Sequence, residues 1–443
     1  MFQHAALRNE SGSARATMWA RVVTAPTNHA VRVFLVRSLG AAALFGLEIT
    51  LARSLGIAGY GSFGFAAAVA TVVSRLAPLG WLNASTRLVS TYIGGERFGL
   101  LKGSLIQSHI TTALGLGVSV LLLLAVAVAG PTSWFFNVDQ IVRSLLPLAF
   151  GLTLLELHRY VLRGLHAGDF GEALPVLVLP TLVASAIWIF RIRDPDTAIW
   201  IYSGVCFLLF LASSVQIVRR MPAPVWTTAA EFRSWEWSRI AFAMLLGGVS
   251  DELVARTAVI VLEALSPERD LGLYQAAARL SLMNIFVLRA LTPSAAPRVS
   301  VLYHNSRLAE LRSTYRRLCL MSFLGCLPFF ICFMVVPERV LGFFGPDFVA
   351  GATMLRVLSI GYLVSAATGP CATALMMIGK ENVYGGLAVA ALLLNAIGNY
   401  ALARYAGGLG AAIATATVIV CINLLYVAIF LRATRTSGSP GQS

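Results

Sequence analysis

The sequence predicts an all-α polytopic membrane protein of about twelve transmembrane helices, arranged as two six-helix lobes related by pseudo-two-fold symmetry. Three observations lead there. The 443 residues are 58% hydrophobic and only 12% charged, with mean hydropathy +0.78, more apolar surface than a soluble domain of this length can cover. Apolar runs of about 20 residues, the length a helix needs to cross the hydrocarbon, recur along the chain, and the ten-residue alternating segments of a β-barrel are absent. The pattern of the first half also returns in the second.

The predicted spans of the first lobe (33–218) are 33–52, 61–81, 108–130, 141–161, 174–190 and 198–218. Those of the second lobe (240–431) are 240–262, 274–291, 318–336, 354–375, 383–403 and 409–431. Residues 1–32 read as a polar N-terminal tail rather than a signal peptide, since no apolar core with a cleavage site follows. Residues 219–239 (RRMPAPVWTTAAEFRSWEWSR) read as an interfacial linker and hinge between the lobes, and 432–443 as a C-terminal tail. Of the 34 Lys and Arg, 21 fall in the two tails and even-numbered loops, counting Arg159 with the loop it borders, and 6 in the odd-numbered loops. The positive-inside rule then places both termini in the cytoplasm. The +14 net charge is largely this topology signal, and no basic run is dense enough for a nucleic-acid groove.

The internal repeat is specific in its spacing. Gly59-Tyr60-Gly61 is followed by Ala66–Ala68, Arg75, Pro78, Arg87 and Tyr92; Gly272-Leu273-Tyr274 is followed by Ala276–Ala278, Arg289, Pro293, Arg298 and Tyr303. Tyrosine to arginine is 15 residues in both halves, and the later arginine to tyrosine is 5 in both. Phe135-Phe136-Asn137-Val138-Asp139 likewise echoes Phe343-Phe344-Gly345-Pro346-Asp347. A parallel repeat of this kind puts a two-fold axis along the membrane normal with a cavity between the lobes.

On the segments ARSLGIAGYGSFGFA (52–66), LGLYQAAARLSLM (271–283), FFGPDFVAGATMLRVLSIG (343–361) and GGLGAAIATA (407–416), the chain resembles the polysaccharide-export branch of the multidrug/oligosaccharidyl-lipid/polysaccharide exporter superfamily. This group includes the O-antigen and other lipid-linked oligosaccharide flippases. The resemblance spans roughly residues 33–431. It implies alternating access of two lobes, a cationic central cavity, and export of an undecaprenyl-diphosphate-linked glycan across the bacterial inner membrane for surface polysaccharide (O-antigen, capsule or exopolysaccharide) synthesis. The expected partners are that substrate, membrane lipids, and the polymerase and chain-length machinery. The intramembrane carboxylate motif of the antiporting members finds no residue-by-residue match here.

Ionisable groups inside a bilayer are costly, so each is a candidate functional residue. Arg75 and Arg289, one in each lobe at cytoplasmic headgroup depth, are candidate diphosphate ligands, because guanidinium groups grip phosphate oxygens bidentately. Arg279, Arg37 and Arg256 are further substrate candidates. Arg87 and Arg298, at helix ends, are assigned to headgroups, while Arg143 and Arg356 are expected to snorkel. Asp251, Glu252 and Glu48 are candidate ion-coupling groups; Glu252 and Arg256, four apart, can pair on one helix face.

Glu156, His158 and Arg159 read as a solvated helix-end cluster without chemistry. So do Asp194 and Asp196 beside Arg191 and Arg193. Trp81, Trp134, Trp200, Trp226, Trp235 and Trp237 read as interfacial anchors. The six cysteines show no CxxC or Cys/His spacing, and neither a metal nor a cofactor is expected. A cation-coupled multidrug exporter of the same superfamily is the second reading, weakened by seven span arginines against four span acids (Glu48, Glu156, Asp251 and Glu252). A membrane-embedded glycan polymerase or ligase is the third, and it lacks a catalytic constellation in the short odd-numbered loops.

Overall fold

The structure is a computed structural model that describes residues 26–129 and 141–436. All regular elements among them are helices. In the N-terminal half these are α1 (Pro26–Leu76), α2 (Trp81–Gly94), α3 (Phe98–Ala129), α4 (Ile141–Gly164), α5 (Gly168–Ile189) and α6 (Pro195–Arg220). In the C-terminal half the longer ones are α7 (Ser234–Leu265), α8 (Glu268–Ser281), α9 (Phe286–His304), α10 (Leu308–Val335), α11 (Ala352–Thr368) and α12 (Glu381–Thr436), with short helices at Pro337–Gly342 and Cys371–Met377. Among the described residues nine helical stretches are long and apolar enough to cross a membrane. The chain is a multi-pass membrane protein.

Two of those stretches fold back on themselves. Gly56 in α1 has φ 68°, ψ −177°, and Gly407 in α12 has φ 51°, ψ −135°, conformations in the left-handed region that favour glycine. In a straight helix Glu48 and Tyr60 would stand about 18 Å apart, yet the Tyr60 hydroxyl donates to Glu48 Oε2 at 2.7 Å. Asn399 and Thr415 would be about 24 Å apart, yet the Asn399 amide lies 3.4 Å from Thr415 Oγ1. The chain therefore reverses at Gly56 and at Ala406–Gly407, where the sequence predicts loops at 53–60 and 404–408.

The second and eighth predicted spans are longer and broken. α1 passes into α2 through a turn at Leu79 and Gly80, both with positive φ. α8 passes into α9 through a 3-10 turn at Leu282–Ile285. Corresponding elements of the two halves thus share an interruption as well as a motif.

The apolar packing is not uniform along the molecule. At the end carrying Gly61 and Gly272, a single cluster draws on both halves, including Leu47, Tyr60, Phe65, Leu271, Tyr274, Phe344 and Leu355. Toward the other end the packing separates into two clusters. One is built around Trp81, Tyr92, Val161 and Trp237, the other around Tyr315, Leu375, Tyr384 and Phe430. α3 and α10 bury only 17% of their most apolar windows, and Leu114, Leu121, Leu320 and Leu324 are exposed, although these are among the most apolar helices. Lipid is the solvent such faces require.

The tryptophan expectation needs correction. Trp200, Trp226 and Trp235 are exposed, but Trp81 and Trp237 are 1% and 0% exposed. They pack edge to face at 6.5 Å, and the Trp237 indole donates to the Tyr92 hydroxyl at 2.7 Å. Trp134 lies outside the described residues, as does the Phe135–Asp139 half of the second motif echo. The linker is docked rather than free. Glu231 N–H donates to Gly99 O at 3.0 Å and Lys102 Nζ to Thr228 O at 3.1 Å, so the start of α7 is clamped onto α2 and α3. Trp237→Ala is expected to cost about 3–5 kcal/mol of stability, the usual cost of emptying a buried aromatic site. Thermal unfolding in detergent, compared with Trp235→Ala at the 84% exposed position, checks this.

Candidate functional site

The two repeat motifs meet each other. A Cβ on Gly272 would stand 2.2 Å from the Ile57 carbonyl oxygen, and one on Gly61 would stand 2.9 Å from Glu268 O and 3.1 Å from Gly272 N. Backbones this close require glycine on both sides, as at tight helix crossings in membranes. The Gln275 amide donates to Gly61 O at 3.3 Å. The 343–348 segment closes over the same point. Phe344 and Phe348 pack edge to face on Tyr60 at 6.3 and 5.7 Å, and Arg53 Nε donates to Phe343 O at 2.8 Å.

Immediately inside this contact lies an ion pair between the halves. Arg279 Nε, on α8, is 3.0 Å from Glu48 Oε1, on α1. Glu48 is 8% exposed, and its second oxygen takes the Tyr60 hydroxyl. A carboxylate this buried requires such partners. The sequence places Glu48 and Arg279 in separate roles; the structure joins them.

Two further arginines of the C-terminal half, Arg256 on α7 and Arg289 on α9, are half-buried and exposed respectively. Arg289 is exposed into a cavity of about 310 Å³ between α7, α9, α11 and α12, whose polar lining includes Thr292, Tyr362, Ser365, Thr415 and Asn423. No carboxylate lines it, and among the described residues none pairs with Arg289. Of the three arginines on α7, α8 and α9, the lining of this cavity includes Arg289 but neither Arg256 nor Arg279.

Arg75 is placed differently from its counterpart. It donates to Glu156 Oε2 at 3.0 Å, inside the N-terminal half, so the structure does not bring Arg75 and Arg289 together. Arg159 bonds the same Glu156 at 3.0 Å and Glu172 at 2.7 Å, and Arg163 completes the pairing with Glu172. The expected solvated cluster at Glu156, His158 and Arg159 is therefore corrected. Glu156, His158 and Glu172 are all buried, in a network whose far member, Glu172, lies on a different helix. Spacing along α4 shows only its own side chains; Arg75 and Glu172 reach it because α1 and α5 pack against it.

Arg87 and Arg298 are exposed. Arg356 does not simply snorkel: it pairs with Glu338 at 2.9 Å. The Arg191–Asp196 stretch is sorted rather than mixed. Asp194 caps α6, accepting from Thr197 N at 2.8 Å and Thr197 Oγ1 at 2.7 Å, bonds that hold its carboxyl below the usual range. Asp196 accepts from Ser144 at 2.7 Å. Arg191 and Arg193 line an open hollow with Arg53 and Trp188. The side chains of Arg37, Asp251 and Glu252 lie outside the described residues. No group of three or more potential metal ligands occurs among the described residues.

No family model matches the sequence, and no curated protein matches it. Solved structures do. One is a multidrug resistance MATE family transporter of the MOP superfamily in an inward-facing conformation, at TM-score 0.70 and 12% identity, covering 93% of this chain and 100% of that one. A second is the lipid II flippase MurJ in an inward closed conformation, at TM-score 0.68 and 13% identity, covering 91% and 87%. A third is the MATE multidrug transporter DinF-BH, at TM-score 0.63 and 15% identity, covering 91% and 94%. At these identities the likeness is one of fold. The chain has the fold on which the MATE transporters and the MurJ flippase are built.

Proposed function

We propose that the protein is a flippase that moves an undecaprenyl-diphosphate-linked oligosaccharide from the cytoplasmic to the periplasmic leaflet of a bacterial inner membrane, for surface polysaccharide synthesis. The observation that carries this reading is Arg289, exposed in a cavity whose polar lining includes hydroxyls and an amide and no carboxylate. Such a surface suits an anionic headgroup followed by sugar. A cavity for organic cations would be expected to carry carboxylates, which this lining lacks.

Dividing α1 and α12 at their glycine reversals and counting α7 gives twelve crossings in two lobes, with both termini in the cytoplasm by the basic-residue bias. The lobes share one apolar cluster at the Gly61 end, whereas at the other end only the start of α7 joins the N-terminal cluster and the remaining C-terminal helices form a cluster of their own. This supports a cleft open toward the cytoplasm, from which a lipid-linked headgroup would enter. Rocking about the Gly61–Gly272 contact would then switch access. No covalent step is required.

The test is the lipid fraction of a deletion strain, labelled in its sugars and probed from each face. Accumulation of diphosphate-linked glycan on the cytoplasmic leaflet is expected. Unchanged lipid-linked glycan with reduced drug efflux would instead favour the multidrug exporter. In a complemented strain, Arg289→Ala is expected to reduce flipping about tenfold or more, the loss of one charge-assisted contact, with Arg289→Lys intermediate. Equal activity of both variants would remove Arg289 from the path.

A further inference from the structure

The end of the molecule that carries Gly61 holds a basic hollow that the proposed path does not use. Arg53 and Ser54, just before the Gly56 reversal of α1, face Trp188, Arg191 and Arg193, at the end of α5, around a space of about 800 Å³. No carboxylate lines it. Three of the six basic residues that the predicted spans leave in odd-numbered loops therefore meet in one place, although they come from two loops more than a hundred positions apart. The positive-inside bias works against arginine on that side of the membrane, so their convergence calls for a reason at this place.

The local backbone aims one of them. α5 closes with Phe190 N–H on Ala186 O at 3.0 Å and Ile192 N–H on Ile187 O at 3.1 Å, and Arg191 between them has φ 51°. Glycine is the usual residue at this left-handed position after a helix, and a longer side chain there is strained. Glycine would end the helix equally well but would leave the hollow one guanidinium short. The acids that follow in the chain turn elsewhere: Asp194 accepts from Thr197 and Asp196 from Ser144. Among the described residues, the side chains of Arg191 and Arg193 make no hydrogen bond or ion pair with the chain. Arg53 is held in place by its Nε bond to Phe343 O, which leaves both of its terminal nitrogens to donate to a ligand.

The surroundings are those of a lipid. Trp188, Ile189 and Phe190, the residues directly before Arg191, are all exposed. Side chains this apolar need hydrocarbon or the membrane interface around them, which puts the arginines that follow at the depth of lipid phosphates. Guanidinium groups converging without an acid match a phosphate monoanion.

We propose that the hollow between α1 and the end of α5 binds the phosphate of an anionic phospholipid, with Trp188, Ile189 and Phe190 against its glycerol and upper acyl chain. Phe343 belongs to the C-terminal half, so a phosphate that fixes Arg53 also braces the contact between the halves. The lipid site stands on the geometry; its use in setting the transport cycle rests on the transporter reading.

The test uses the full chain in nanodiscs of phosphatidylcholine with a minor fraction of phosphatidylglycerol brominated on its acyl chains. Quenching of Trp188 is taken as the difference between the chain and Trp188→Phe. Brominated phosphatidylglycerol should be enriched beside Trp188 about fivefold or more over brominated phosphatidylcholine at the same fraction, the effect of one arginine or more on an anionic lipid. Arg191→Gln with Arg193→Gln should bring the ratio close to one, and since both side chains are exposed the fold should be unaffected. Arg404→Gln, exposed and outside the hollow, should leave the ratio unchanged. Equal quenching by the two lipids, a preference that survives the double variant, or an equal loss in Arg404→Gln would each overturn the site. Displacement of the brominated lipid by inorganic phosphate or by stoichiometric undecaprenyl diphosphate would overturn the phospholipid as its occupant.

Spin-label distances across the Gly61 end, compared between nanodiscs with and without phosphatidylglycerol, test the brace. The distribution should shift toward the shorter distance with phosphatidylglycerol, and the double variant should abolish the shift. A distribution indifferent to the lipid removes the brace. Neither readout involves the glycan, so a failure here is distinguishable from a failure of the cargo assignment.

Discussion

Arg279→Ala is expected to open the Gly61 end of the molecule. The substitution leaves Glu48 buried with the Tyr60 hydroxyl and without the guanidinium 3.0 Å away. Removing one member of a buried pair costs about 3–5 kcal/mol. Glu48 and Arg279 sit on different halves, so the cost falls on the arrangement in which the halves meet rather than on the folding of either one. Spin labels on both sides of the contact should report a longer distance in Arg279→Ala and in Glu48→Gln. The exchange Glu48→Arg with Arg279→Glu should restore much of the original distribution. A distribution unchanged in the single variants would mean that apolar packing alone holds this end.

Gly272→Leu is the second large effect. Its Cβ would stand 2.2 Å from the Ile57 carbonyl, a backbone atom with no rotamer to yield. The helices must separate or the residue must shift, and overpacking of this kind costs about 1–3 kcal/mol. The ratio of closed to open states at this end should fall about 5-fold to 150-fold, the same energy range expressed as an equilibrium constant. A Gln275→Cys reporter, buried beside Gly64 in the native contact, should become reactive to a membrane-impermeant thiol reagent. Gly117→Ala is the control, since its Cβ would meet nothing within 4 Å. Equal reactivity in both backgrounds would place the hinge elsewhere.

The spacing Gly-Tyr, Ala-Ala-Ala, Arg identifies the segments that meet at the interface, because a repeat constrains both copies to equivalent places. The cost of intramembrane charge singles out Glu48 and Arg279. It does not pair them, since they are 231 positions apart and on different spans. The symmetry argument overreaches at Arg75 and Arg289. Their spacings match, but α4 presents Glu156 to Arg75, whereas Arg289 opens into a cavity without acids. Trp237 reads as an interfacial anchor because its neighbours are polar, and only the docking of α7 on α2 buries it.

Hydropathy and helix length are local quantities, and from them the sequence by itself determined a helical, multi-pass membrane protein. Burial and charge pairing depend on which helix faces meet. The tertiary structure alone decided that Gly56 and Gly407 reverse the chain within continuous helices, that Glu48 and Arg279 join the halves, and that Arg53 meets Arg191 and Arg193 in one hollow. These contacts link residues that composition and spacing treat as unrelated, because packing brings them together only after the helices have formed.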